Sequence, residues 1–181
     1  MKNKLYTLLL FFSSVIGLGV LLTSCSSDDD ACAGIDCLPE ATQTGEGTFG
    51  CLVNGEPFVD NSGDFNCFYQ LVDGEYYFGI QAKDNVASIS QIFIGSNRSQ
   101  IELNNIISLS QNSPGNFYGG INIKNLGGTF RTLDSSGTIE FTKFTIGSNI
   151  VSATFEFTIT DSNTDTVYEI TEGRFDAQFG Q

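Results

Sequence analysis

Ile150-Val151-Ser152-Ala153-Thr154-Phe155-Glu156-Phe157-Thr158-Ile159-Thr160 alternates apolar and polar residues without a break. Val151, Ala153, Phe155, Phe157 and Ile159 fall on one side, and Ser152, Thr154, Glu156, Thr158 and Thr160 on the other. A period of two sends successive side chains to opposite faces of a β-strand. The β-branched and aromatic residues suit a pleated, half-buried surface.

The same pattern extends in both directions. Residues 138–146 place Ile139, Phe141 and Lys143 on one face and Glu140, Thr142, Phe144 and Ile146 on the other. Residues 166–179 form a long last strand, with a bend expected at Gly173. Upstream, 49–53 ends at Asn54-Gly55, and 65–72 meets 75–83 across Asp73-Gly74. Both dipeptides favour two-residue hairpin turns. Further short runs lie at 89–94, 101–109, 117–124 and 129–133. Only Asn104-Asn105-Ile106-Ile107 is ambiguous between helix and strand. About ten strands separated by turn residues imply an all-β domain. The expected architecture is an antiparallel β-sandwich pairing strands that neighbour one another in sequence, with a flattened β-barrel as the alternative.

The first residues read differently. Lys2 and Lys4 precede a charge-free, Leu- and Phe-rich run over residues 5–22, the layout of an export signal. Leu22-Thr23-Ser24-Cys25 has the pattern of a bacterial lipobox. By that resemblance residues 1–24 are a cleaved signal peptide and Cys25 becomes the lipidated N-terminus, since several acyl chains together anchor stably. Ser26, Ser27, Asp28, Asp29 and Asp30 then resemble the surface-export signal of Bacteroidota lipoproteins. Residues 25–47 read as a lipidated acidic tether and 48–181 as the folded domain. The expected location is the outer membrane, held by lipid and facing the cell exterior.

Four cysteines remain: Cys32, Cys37, Cys51 and Cys67. An even number in an exported domain suggests disulfides, and the favoured pairing is Cys32–Cys37 with Cys51–Cys67. A metal site lacks the usual C-x2-C spacing and has no histidine to complete it. No cofactor is expected.

Three segments carry a wider resemblance: 38–45 (Leu38-Pro39-Glu40-Ala41-Thr42-Gln43-Thr44-Gly45), 48–55 (Thr48-Phe49-Gly50-Cys51-Leu52-Val53-Asn54-Gly55) and Gly173-Arg174-Phe175-Asp176. They resemble a Bacteroidota outer-membrane surface lipoprotein family of uncharacterised function. The resemblance implies a membrane address and a β fold, and it carries over no catalytic residue.

The formal net charge of the 181-residue chain is −13, and losing the two leader lysines leaves −15. The other basic residues, Lys83, Arg98, Lys124, Arg131, Lys143 and Arg174, are scattered singly. No basic stripe exists to neutralise phosphates, so nucleic acid is excluded as a partner. The same acidity makes membrane contact depend on the lipid anchor.

The absence of histidine removes Ser–His and Cys–His machinery. Any catalysis would have to use carboxylates, as glycosidases do, with Glu140, Glu156, Glu169 and Glu172 as candidates. The more economical reading of these is an acidic solvent face, so no catalytic residue is assigned. Asp161, Asn163 and Asp165 offer the alternating oxygens of a calcium loop, with Glu172 at the twelfth position. Thr166 stands where such a loop needs glycine, and strands rather than helices flank it, so a tight turn explains the run better. Asp165-Thr166-Val167 also resembles a Bacteroidota O-glycosylation acceptor at Thr166. Tyr69, Tyr76, Tyr77 and Tyr118 are candidates for a sugar-stacking face, set against ordinary cross-strand packing. These features favour a surface-displayed, non-enzymatic binding module for a protein or glycan ligand. A carboxylate-dependent glycan-active enzyme and a structural accessory subunit of a surface complex are the alternatives.

Overall fold

The computed structural model describes residues 32–85, 88–124, 128–133 and 136–181. The leader, Cys25 and Ser26 to Asp30 lie outside these described residues. No helix among the described residues is long and apolar enough to cross a membrane. The strands are β1 (Thr48–Val53), β2 (Glu56–Val59), β3 (Asn66–Val72), β4 (Glu75–Lys83), β5 (Ile89–Asn97), β6 (Ile106–Leu109), β7 (Asn116–Ile123), β8 (Thr129–Arg131), β9 (Gly137–Thr145), β10 (Ile150–Asp161) and β11 (Thr166–Gln178).

All eleven belong to one curled sheet, ordered β2-β1-β11-β10-β9-β6-β7-β5-β4-β3, with β8 paired to β7 beside this path. The expected all-β architecture is present. Its two packed halves are one continuous sheet bent over on itself into a half-barrel, joined through the short strand β6. Pairing departs from simple sequence order in three places: β1 lies beside β11, β5 beside β7 and β6 beside β9. The β6–β7 contact is parallel, at Leu109 and Phe117.

The hairpin dipeptides behave as read. Asn54 and Gly55 have φ of 50° and 86°, and Asp73 and Gly74 have 51° and 83°. Positive φ at both central residues gives the twist that lets strands continue without splaying. The ambiguous stretch resolves as the strand β6, but it is shorter than the run 101–109. Leu103 makes only an isolated bridge to Phe141 and Asn104 turns at φ 57°, so β6 starts at Ile106.

Phe78 of β4 meets Phe141 of β9 edge-on at 5.4 Å and Phe175 of β11 at 6.1 Å. These contacts pack one half of the sheet onto the other, and each such ring pair adds about 1 kcal/mol beyond its area burial. A bulge at Thr142 changes the expected faces of β9: Ser152 pairs Lys143, but Ala153 pairs Phe141. The extra residue carries Phe144 back to the core side, where it packs on Tyr69 at 4.9 Å and Phe179 at 5.6 Å. After β11 the chain crosses to the far edge. Tyr69 donates its N–H to the Gly180 carbonyl, and Gly180 donates its own to the Cys67 carbonyl. That shields part of the β3 edge, while Pro57 interrupts the opposite edge strand, β2.

The cysteines divide. Cys32 and Cys37 form a disulfide with Cα atoms 5.1 Å apart, closing a 3-10 turn at Gly34–Cys37. The expected Cys51–Cys67 bond is absent, and both are free, buried thiols. Cys51 lies on β1 beside β11, whereas the chain carries Cys67 on β3 to the opposite end of the sheet order, so they are not on neighbouring strands. Burial pushes both thiols up, that of Cys67 to about 12. A thiolate is the reactive form, so a water-soluble maleimide should leave both unlabelled in the native protein. Both should label in denaturant without reductant, as read by intact mass. A labelling count that rises only after reduction would contradict the free-thiol assignment.

The folded unit also begins earlier than Thr48. Leu38 is buried, and the Pro39 ring covers Gly50 of β1. Residues 38–47 are therefore part of the domain rather than tether.

Candidate functional site

The Asp161 loop is occupied by its own turn. Asn163 donates its backbone N–H to Asp161 Oδ1 at 2.8 Å, and the Thr164 hydroxyl donates to Oδ2 at 2.9 Å. The Asn163 N–H is the main cause of a lowered Asp161 pKa. Glu172 lies away from this loop, on the outer face of β11. These bonds make Asp161, one of the three calcium candidates with Asn163 and Asp165, the anchor of an Asx-type hairpin turn. Thr166 is exposed at the start of β11, its hydroxyl oxygen 2.9 Å from that of Thr164.

The carboxylates gather in part. Glu140, Glu156 and Glu172 line a shallow depression with Arg174, about 270 Å³ in volume, while Glu169 lies outside it. Glu156 and Glu172 are exposed. Two-carboxylate glycoside chemistry needs one acid in an apolar, water-excluded setting, and this open face does not supply it.

The third motif of the sequence resemblance has a structural role that the sequence does not reveal. Asp176 is buried, and its carboxylate accepts from the hydroxyls of Thr42 and Ser152, both at 2.7 Å, and from the N–H groups of Thr44, Gly45 and Glu46 at 2.9, 2.9 and 3.2 Å. Burial alone would raise its pKa, but the Ser152 and Thr42 hydroxyls and the Thr44 and Gly45 N–H groups outweigh that and hold it at about 2. Asp176 thus fastens residues 42–46 across β10 and β11.

The tyrosines do not form one face. Tyr69 is buried and stacks on Tyr76 at 5.0 Å. Tyr118 lies on the opposite, outer surface of the β3-β4-β5-β7 half, where strand registers build three rows. The first row is Phe68, Gly79, Gly95 and Tyr118. The second is Asn66, Gln81, Phe93, Gly120 and Arg131. The third is Lys83, Gln91, Asn122 and Thr129. The glycines form a low floor. Phe68 reaches over Gly79, Phe93 over Gly120, and the Tyr118 hydroxyl lies 2.7 Å from where a Gly95 Cβ would stand.

Phe93 and Tyr118 meet at 71° with centroids 6.4 Å apart, making an aromatic corner. An amide ladder runs beside it: Asn122 Nδ2 donates to Gln91 Oε1 at 2.6 Å, and Gln91 Nε2 donates to Gln81 Oε1 at 2.7 Å. Asn122 Oδ1 is buried without a partner among the described residues. The groove has a volume of about 300 Å³, and no carboxylate among the described residues lines it. Phe68 and Phe93 were not among the sequence candidates. Their signal was the period of two, which groups Phe68 with Asn66 and Gln70, and Phe93 with Gln91, on the face away from the Ile-rich core.

No protein-family model, curated protein or solved structure matches this chain.

Proposed function

We propose that this chain is a lipid-anchored, surface-displayed binding module without catalytic activity, and that its outer groove holds a glycan. The carrying observation is the aromatic corner of Phe93 and Tyr118, with Phe68 beside it, set against the Gln81–Gln91–Asn122 ladder. A pyranose has an apolar C–H face that suits an aromatic ring and hydroxyl edges that both donate and accept. Side-chain amides do the same, and few convergent polar groups on an apolar floor are what orient a small ligand. An extended peptide would instead add to a sheet edge. Here β3 is partly covered by Gly180, and β2 carries Pro57.

The test is a panel of plant, animal and bacterial oligosaccharides presented to the full chain purified in detergent. We expect Phe93→Ala to reduce glycan binding at least tenfold. Gly120→Ala should do nearly as much, because the added methyl meets only the far end of the Phe93 side chain and displaces it from the corner. Both variants should melt close to the parent. Absence of binding across the panel, or binding that survives both substitutions, would refute the glycan reading.

The anchor rests on Leu22-Thr23-Ser24-Cys25. Cells fed a clickable fatty acid should label the protein, and Cys25→Ala should abolish the label. Equal labelling of the two would remove the anchor from this account. Surface display predicts digestion by protease added to intact cells.

A further inference from the structure

We infer that the groove prefers a glycan carrying an isolated carboxylate, such as a uronic acid flanked by neutral sugars, and that Arg131 reads it. This rests on the glycan reading above and adds the ligand's charge. Among the described residues, Arg131 is the one charged residue lining the groove. Its guanidinium lies 5.7 Å from the Phe93 ring centroid and makes no hydrogen bond or ion pair among the described residues. Lys83, in the next row, is already paired with Asp64 at 3.0 Å.

A guanidinium resting on an aromatic ring has its position fixed while its donors stay free. Those donors match a carboxylate in a planar, two-point contact. Arg131 follows Phe93 and Gly120 in the same row, so a sugar against the Phe93–Tyr118 corner brings its ring substituents towards the guanidinium. The rest of the protein sets a limit on charge. With a formal net charge of −13, the chain repels densely charged polymers. A charge in contact with Arg131 is felt fully, whereas those beyond about 8 Å are screened at physiological ionic strength. A single carboxylate therefore gains from Arg131, and a sulfated or fully uronic chain gains less.

The experiment compares two oligosaccharides that differ only in one C6 group, carboxylate against hydroxymethyl, titrated into the full chain by calorimetry. The acidic sugar should bind about tenfold more tightly, and the advantage should shrink with added salt. Arg131→Gln should bring the two affinities together while leaving the neutral sugar bound, and Arg131→Lys should restore part of the difference. Equal affinities in the parent, or a preference unchanged in Arg131→Gln, would overturn the role of Arg131 and leave the glycan site standing. Failure of both sugars to bind would count against the glycan site itself.

Discussion

Asp176→Ala is expected to destabilise the protein by about 3 kcal/mol, lowering the melting temperature by roughly 6–12 °C for a domain of this size. The substitution leaves the Thr44, Gly45 and Glu46 N–H groups without their acceptor and frees the Thr42 and Ser152 hydroxyls. It also releases residues 42–46 from β10 and β11, which a proteolysis time course should register as earlier cleavage near Thr42. The acid dependence follows from the same contacts. The carboxyl has a pKa of about 2 in the folded protein against an ordinary 3.8. Its stabilisation is therefore complete above about pH 4 and is lost as pH falls through 2. The difference amounts to about 2 kcal/mol once screening by nearby solvent is allowed for. Chemical denaturation at pH 7, 4 and 2.5 should show this loss in the parent and a shallower one in Asp176→Ala.

Gly137→Ala is the second large effect, expected at about 3 kcal/mol. An added Cβ would meet the Glu156 carbonyl oxygen and the Phe157 Cβ and Cα, which is 2.6 Å away. Those atoms belong to the body of β10, so relief requires separating β9 from β10, and overpacking of this kind is costly. Gly120→Ala creates a still closer contact, but with the tip of the Phe93 ring, which can swing aside. A melting point that falls far in Gly137→Ala and little in Gly120→Ala would bear out this distinction. Equal losses would show that the Phe93 ring is not free to move.

The strands were legible because their signals are local. Alternation in β10 and the Asn54-Gly55 and Asp73-Gly74 turns need only neighbouring residues to be read. Pairing across the sheet was not legible, since β1 finds β11 and β5 skips to β7 through contacts distant in sequence. That is why Cys51 and Cys67 looked like partners and are not. The bulge at Thr142 was hidden for a related reason: a single inserted residue exchanges the faces of everything beyond it, moving Phe144 inward.

The site was half legible. The Asp161 turn chemistry was visible in its residue types, and Tyr118, one of the tyrosines considered for stacking, lies in the outer groove. Phe68 and Phe93 escaped because a phenylalanine in an alternating strand reads as core. The alternation hints that these two point away from it, and the registers of β3, β4, β5 and β7 show that they do. Asp176 escaped because its partners Thr42, Thr44 and Gly45 are more than a hundred residues away in sequence. The resemblance to lipoproteins rests on those same segments, and Asp176 brings two of them into contact.

Backbone amide chemical shifts decide most directly where the ligand sits, recorded on the full chain in micelles during titration with the tightest glycan of the panel. The outer-groove assignment requires the largest changes at Phe68, Gln81, Gln91, Phe93, Tyr118 and Asn122. Changes centred on Glu140, Glu156 and Arg174, or no changes at saturating glycan, would contradict it.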